Sequence, residues 1–367
     1  MQQPKSNRET AIRQSNIELL RIIAMIIIVA YHFSVHGGFV FNSNTITINR
    51  LWIQFIRIGG KTGVDVFVLI SGYFLINSNK VITSKVLKFW FQIFTYSIVI
   101  FVIFTLSGIV PFDLKELIKH IFPITFTQWW FASTYFVLYL LSPFINKMLL
   151  SFDKKQYLSF LLILFFMWCI IPTVTGQAFE SNELLWFVFL YSLAGFIKLY
   201  GVIDRFKSST YIILALLVIL ITWLSAVAFE VLGYKAPIFS VYARIFYDMQ
   251  GVTILIISVL MLLGFLKLKM GYSKVINVIA SATFGVYLVH DNAYIRVFLW
   301  KSIFKNATYS ESKVLIPYSL MAIVVVYICC TLVELARIYL VEKNYMSIVI
   351  SISKRIDEYK ERFWENH

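Results

Sequence analysis

The sequence predicts an all-α polytopic membrane protein, a bundle of about ten transmembrane helices. Two observations carry this. Of 367 residues, 59% are hydrophobic and only 14% charged, with mean hydropathy +0.78, whereas soluble domains carry roughly 25% charged residues. Apolar stretches recur from end to end, each near the roughly 20 residues a helix needs to cross a bilayer.

The stretches fall near residues 16–36, 62–78, 86–109, 128–149, 157–174, 183–200, 209–230, 241–265, 274–299 and 314–341. The first is too long for a signal peptide and lacks a small-residue cleavage site, so it reads as a retained span. Pro111, Pro123, Pro172 and Pro237 fall where helices are expected to begin or end. Between the third and fourth spans, Phe112 to Phe122 (FDLKELIKHIF) is short and amphipathic and suits the membrane interface, where Trp129 and Trp130 add an aromatic belt. Residues 1–350 read as one ten-span membrane domain and 351–367 as a short polar cytoplasmic tail, expected to be a short helix.

The net charge of +14 does not indicate nucleic acid, because the cations are spread over many short loops rather than gathered in a patch. In a membrane protein such an excess sets orientation. With the N-terminus inside, one side carries Lys5, Arg8, Arg13, Lys80, Lys85, Lys88, Lys154, Arg205, Lys267 and others. The opposite side, with Arg50, Arg57, Lys61, Arg244 and Lys305, has about half as many. Both termini are therefore expected in the cytoplasm. Cys169, Cys329 and Cys330 all lie in apolar runs, with neither metal-ligand nor disulfide spacing.

Four stretches carry polar groups where a span should be apolar. In the first (NIELLRIIAMIIIVAYHF, Asn16 to Phe33), Glu18, Arg21, Met25, Ile28, His32 and His36 follow steps of three or four and share one face. Arg21 to His32 is about 16 Å of rise, so an ionic end and an imidazole face the same way at different depths. A snorkelling Glu–Arg pair and a hydrogen-bonded structural histidine are the competing reading. In the second (GVDVFVLISGYF), Asp65 lies near the level of His32 and either orients the imidazole or caps its helix, while Ser71 and Gly72 permit close helix packing. In the third (SATFGVYLVHDN), Thr283, Tyr287 and His290 share a face, and His290 reaches a depth similar to His32. In the fourth (LVELAR), Glu334 and Arg337 lie at the level of Glu18 and Arg21. They form either a structural ion network or, with Lys80, Lys85 and Lys88, a basic mouth for an anionic ligand.

Together these stretches resemble the acyltransferase 3 family, integral-membrane O-acyltransferases of bacterial surface glycans, over essentially the whole chain. The resemblance rests on Arg21 and His32 separated by ten residues, on GVDVFVLISGYF, on WWFASTYFVLYLLSP leading to Pro143, and on FGVYLVH ending at His290. It departs from the family at Val68, where a second aromatic is common, and at Lys85 and Lys88, where arginines are. No extracytoplasmic hydrolase-like domain is expected either. The resemblance implies an enzyme of the bacterial cytoplasmic membrane. It would move an acyl group, usually acetyl from acetyl-CoA, to a hydroxyl of a cell-surface or lipid-linked polysaccharide, with no metal. His32 and Asp65 are then expected to be catalytic, His32 as general base or transient acyl carrier. Arg21, Arg337, Lys85 and Lys88 would bind the donor, and His290, Tyr287 and Glu18 the substrate. The expected partners are the acyl-CoA donor, the glycan acceptor, the lipid bilayer and glycan-assembly proteins. The alternatives are an exporter or flippase of a lipid-linked glycan, whose charges would line a pathway, and a scaffold in a glycan-assembly complex. Against export, the sequence shows no internal repeat and no pair of Gly/Pro-broken helices.

Overall fold

A computed structural model describes residues 13–42, 45–201, 206–236, 238–239 and 245–365. Lys5, Arg8, Arg205 and Arg244, used above for orientation, and Pro237 lie outside the described residues. All regular elements among the described residues are helical, as hydrocarbon requires: a single helix satisfies its own backbone, and an open sheet edge does not.

Among the described residues, eight helices are long and apolar enough to cross a membrane: Ser15–His36, Ile48–Leu75, Thr83–Leu106, Lys154–Thr175, Glu183–Tyr200, Ser208–Gly233, Ile245–Leu266 and the helix that begins at Leu315. The 22-residue helix Trp130–Ser151 and the shorter apolar pair within Lys274–His290 lie between them in sequence. We number the helices α1 (Ser15–His36), α2 (Ile48–Leu75), α3 (Thr83–Leu106), α4 (Leu114–Ile121), α5 (Trp130–Ser151), α6 (Lys154–Phe165), α7 (Ile171–Thr175), α8 (Glu183–Tyr200), α9 (Ser208–Lys235), α10 (Val252–Leu266), α11 (Lys274–Ser281), α12 (Thr283–His290), α13 (Ala293–Val297), α14 (Leu315–Ala336) and α15 (Lys343–Glu365). Short connections make successive spans antiparallel. One face of the bundle therefore holds the start of α1 and the end of α14, and the far face holds the end of α1 and the starts of α2, α8 and α14.

Three spans differ from the sequence expectation. The second begins at Ile48, not near residue 62, and turns an expected loop into helix. Its start is pinned, since Thr47 caps Arg50 N at 3.2 Å and Asn49 Nδ2 donates to the carbonyls of Ser310 and Ser312 at 2.9 and 2.8 Å. The polar residues of this extension, Arg57 and Lys61 among them, hid it from hydropathy. The ninth span is broken after His290, where the Asn292 side chain accepts from the N–H groups of Tyr294 and Ile295 and caps a new short helix. The last span does not stop near residue 341. A π-turn, Arg337–Glu342, carries it into α15, so the expected short tail helix is the end of one long helix. Thr83 Oγ1 donates to Asp357 Oδ1 at 2.5 Å and ties that end to α3.

Local chemistry explains the internal prolines. Pro143 inside α5 frees the carbonyl of Tyr139, and Ser142 Oγ donates to that oxygen at 2.8 Å. Pro172 sits inside the Lys154–Thr175 helix rather than at its boundary, just after the π-turn Phe166–Ile170 has opened the bond ladder.

The core lies where α1, α2 and α8 meet, with Leu20, Val29, Phe33, Val66, Leu69, Trp186 and Phe187 fully enclosed. Glycines set the spacing. A Cβ on Gly63 would lie 2.7 Å from the Ala24 carbonyl oxygen, and one on Gly60 2.1 Å from the Tyr31 ring, so α2 lies directly on α1. Gly72 does the same against the backbone of Tyr191 on α8, as expected, whereas the Ser71 hydroxyl lies 3.1 Å from that of Tyr135. Gly63→Ala should therefore overpack the α1–α2 seam at a cost of about 1–3 kcal/mol. A lower melting temperature in detergent is expected, with Gly271→Ala, where nothing lies within 4 Å, as the unaffected control.

Candidate functional site: a histidine pair in a membrane-deep cavity

The face of α1 marked by its polar stripe lines a cavity of about 560 Å³, within the roughly 300–1,000 Å³ of small-molecule sites. Arg21, Met25, Ile28, His32 and His36 all border it. Opposite them stand Lys61, Val64, Phe67 and Ser71 of α2, Gln92 of α3, Trp130, Phe131 and Tyr135 of α5, and Tyr287 of α12. Asp291 and Arg296 line the cavity just beyond α12. It is thus cationic at Arg21, aromatic in the middle, and crowded with titratable groups around His32.

Two histidines from distant parts of the chain meet at that end. His32 Nδ1 lies 2.8 Å from His290 Nε2, and His290 Nδ1 lies 2.6 Å from the Val286 carbonyl oxygen. A carbonyl only accepts, so His290 Nδ1 carries its proton, and in the neutral ring Nε2 is an acceptor. His32 Nδ1 must then donate, which leaves its Nε2 with a lone pair. The tautomer of a residue in α1 is thereby fixed by a backbone carbonyl in α12. Asp291 Oδ1 stands 3.7 Å from His32 Nδ1, from His36 Nε2 and from Arg296 Nη1, too far for hydrogen bonds but close enough for charge to act. Each of His32, His36 and Asp291 has a ligand atom within 4.8 Å of the other two, a set that can take a divalent ion. An ion bound through His32 Nδ1 would have to displace His290.

The structure places the remaining expected residues as follows. Arg21 borders the cavity with its side chain one-third exposed, and Glu18 accepts from Arg21 Nη1 at 2.9 Å but does not line the wall. Tyr287 lines the cavity, edge-on to His290 with ring centroids 6.4 Å apart. Asp65 is a correction. It is fully buried, accepts from Trp186 Nε1 at 3.0 Å, and does not reach His32. Val64 lines the cavity, and one helical step of about 100° turns Asp65 away toward α8. The carboxylate beside His32 is Asp291, which lies within the expected ninth span but carries no helical-face signal of its own in the sequence. Its signal was adjacency in the HDN triplet.

The basic mouth is also redistributed. Arg337 is buried and does not line the cavity. Its Nε and Nη2 donate to Glu334 at 2.8 Å, Nη2 also to Glu342 at 2.7 Å, and Nη1 to Tyr345 at 2.6 Å. Glu334 accepts further from Gln92 at 2.9 Å and Tyr96 at 2.6 Å. Lys88 pairs with Glu342, and Lys85 is exposed on the first turn of α3, away from the wall. Of the four expected donor-binding cations only Arg21 reaches the cavity. Lys61 and Arg296, not singled out from sequence, supply the others.

A family profile described as an acyltransferase domain matches residues 14–334. The chain belongs to the acyltransferase 3 family. No curated protein and no solved structure matches it. Family and fold together make it a multi-pass membrane acyltransferase. The matched segment contains Arg21, His32, Tyr287 and His290 and stops at Glu334, so the Arg337–Glu342 turn lies beyond it.

The two arginines should behave differently. Arg337→Ala leaves the buried Glu334 without its ion partner, a loss of about 3–5 kcal/mol. That variant should be depleted from membranes and melt early. Arg21→Ala should be the milder of the two, because Arg21 is one-third exposed and makes one bond to Glu18, whereas Arg337 makes three to Glu334 and Glu342. Immunoblotting of membranes and thermal melts of purified protein read both.

Proposed function

We propose that this membrane acyltransferase moves an acetyl group from cytoplasmic acetyl-CoA to a hydroxyl of a cell-surface or lipid-linked polysaccharide. The observation that carries the reading is the chain Val286 carbonyl–His290–His32, which leaves His32 Nε2 unprotonated at the wall of a cavity that also contains Arg21. On this reading the face bearing both termini is cytoplasmic and the protein lies in the bacterial cytoplasmic membrane. Residues 1–350 form the transferase domain and 351–367 a cytoplasmic tail.

Arg21 receives a phosphate of the donor. The thin pantetheine arm runs along the aromatic middle, past Phe67 and Phe131, and brings the thioester to His32. The acceptor hydroxyl gives its proton to His32 Nε2 as its oxygen attacks the thioester carbonyl. Collapse of the tetrahedral intermediate breaks the carbon–sulfur bond, and the imidazolium returns the proton to the departing thiolate. Atoms and charge balance, and no metal is needed. Asp291, 3.7 Å from His32 Nδ1, offsets the positive charge that builds on the ring, while His290 holds the ring's orientation. General-base catalysis of this kind contributes roughly 10²–10⁴-fold. An acyl-histidine on Nε2 is the competing course. Family membership supports acyl transfer over export of a lipid-linked glycan.

The test is transfer of labelled acetyl from acetyl-CoA to glycan at equal membrane abundance. His32→Ala and His32→Gln should both lose at least about a hundredfold while still binding acetyl-CoA, since glutamine keeps the hydrogen bond but takes no proton near neutral pH. A His32→Gln variant retaining more than about a tenth of the activity would remove His32 from the chemistry. Chelation with EDTA should leave the rate unchanged. A loss on chelation that zinc restores would instead assign His32, His36 and Asp291 to an ion.

A further inference from the structure

Gln92 of α3 borders the histidine cavity and is only 8% exposed. Its amide is oriented from behind. Glu334, ion-paired with Arg337, only accepts, so the Nε2 end of Gln92 faces it at 2.9 Å. Oε1 is thereby turned the other way. It accepts no hydrogen bond among the described residues and is not enclosed, and the cavity is the open space that the side chain borders. A deeply placed acceptor without a partner is costly in a bilayer unless something entering the space supplies one.

A second acceptor is built in the same way. Ser71 Oγ donates its single proton to the Phe67 carbonyl at 2.9 Å, which can only accept. The Tyr135 hydroxyl, 3.1 Å from Ser71 Oγ, then donates its own proton to that oxygen and keeps only lone pairs. Tyr135 and Ser71 both border the cavity. Between the two acceptors the wall is aromatic. The Phe89 ring, one turn before Gln92, lies 5.9 Å from that of Tyr135 and stacks on Phe284 at 4.7 Å.

The two acceptors stand at different depths. Glu334 touches α12 at Gly285, five residues or about 7.5 Å of rise before His290. Gly60 packs on Tyr31, beside His32, and Ser71 is eleven residues farther along α2, about 16 Å of rise. Gln92 therefore lies nearer the histidine pair, and Tyr135 with Ser71 nearer Arg21.

We infer that Gln92 and Tyr135 read the two amide N–H groups of a pantetheine arm, Gln92 the one next to the thioester and Tyr135 the one toward the phosphates. The inference rests on the donor reading above and names the groups that recognise the donor. Between its phosphates and its sulfur, a pantetheine thioester carries two secondary amides in line. That order matches Arg21, Tyr135, Gln92 and His32. Each amide supplies the N–H that one acceptor lacks. An acyl phosphate supplies none and would leave both acceptors unpaired. The Glu334–Arg337 cluster thus acts on the site without touching the ligand, because it fixes which end of the Gln92 amide the ligand meets.

The test replaces each N–H in the ligand. Purified full-length protein in nanodiscs is titrated with CoA and with two synthetic analogues, each with an ester oxygen in place of one amide N–H. Wild type should bind either analogue at least about tenfold more weakly than CoA, since an ester oxygen turns a lone pair toward the acceptor. In Gln92→Met the penalty for the ester nearer sulfur should shrink to within about twofold while the other penalty stays, and Tyr135→Phe should do the converse. A residue that only supports the fold would weaken all three ligands alike. Tyr135→Phe leaves the Ser71–Phe67 bond in place, so that variant and the wild-type comparison decide the matter if Gln92→Met fails to fold. Equal binding of CoA and both analogues by wild type would overturn the inference, and a penalty that a substitution leaves unchanged would remove that residue from it. Wild type that binds neither CoA nor acetyl-CoA would instead overturn the donor reading itself.

Discussion

Hydrocarbon offers no hydrogen bonds, and the two main polar clusters of this bundle are arranged around that fact. A buried polar group in lipid must find its partners within the chain or border a space that something polar can enter. The rule sorts the charged residues of the spans into two kinds. Glu334 receives Gln92, Tyr96 and the fork of Arg337, while Arg337 spends its remaining donors on Glu342 and Tyr345. With little capacity left for a ligand, this cluster joins α3, α14 and α15. His32 is different, because one nitrogen is committed to His290 and the other is not. The group with capacity left at a cavity wall is the one that can do chemistry.

Close helix packing holds that nitrogen in place. Glycines 59, 60 and 63 bring α2 against α1, and Gly285 lets α12 approach Glu334, where a Cβ would stand 2.2 Å from its carboxyl carbon. His290 can therefore reach across to α1 only because α12 is held close to the helices behind it. The break at Asn292 then ends the span just beyond the histidine, so that Asp291 lies against the pair instead of continuing up a helix face.

Much of this was legible in the sequence, for identifiable reasons. Hydropathy found the spans because lipid imposes a length. The period of the helix found the Arg21–His32 stripe because all its members lie on one rigid element. Pairings between elements were less visible. Similar depth for His32 and His290 followed from counting residues, but their contact depends on helix rotation, and the same uncertainty put Asp65 on the cavity side when it is one residue past it. The partners of Arg337 include Glu342, which a regular helix would place on another face. The π-turn brings it within 2.7 Å, and no composition rule announces a π-turn. Lys61 reads as a loop residue in the sequence because the polar start of α2 looks like one.

The cavity also bears on the energetics of the membrane around it. Its wall follows α1 from Arg21 to His36, about 22 Å of rise, and so replaces much of the insulating layer with polar protein. Moving one elementary charge across such a layer releases about 2.3 kcal/mol per 100 mV, and a path for protons there would dissipate any potential across it. The fixed charges along the path guard against this. Arg21, Lys61 and Arg296 face a single wall carboxylate, Asp291, so small cations meet a positive barrier of the kind that keeps protons out of water pores, while an anionic ligand is drawn in. The arrangement that suits an anionic ligand also works as an electrical seal.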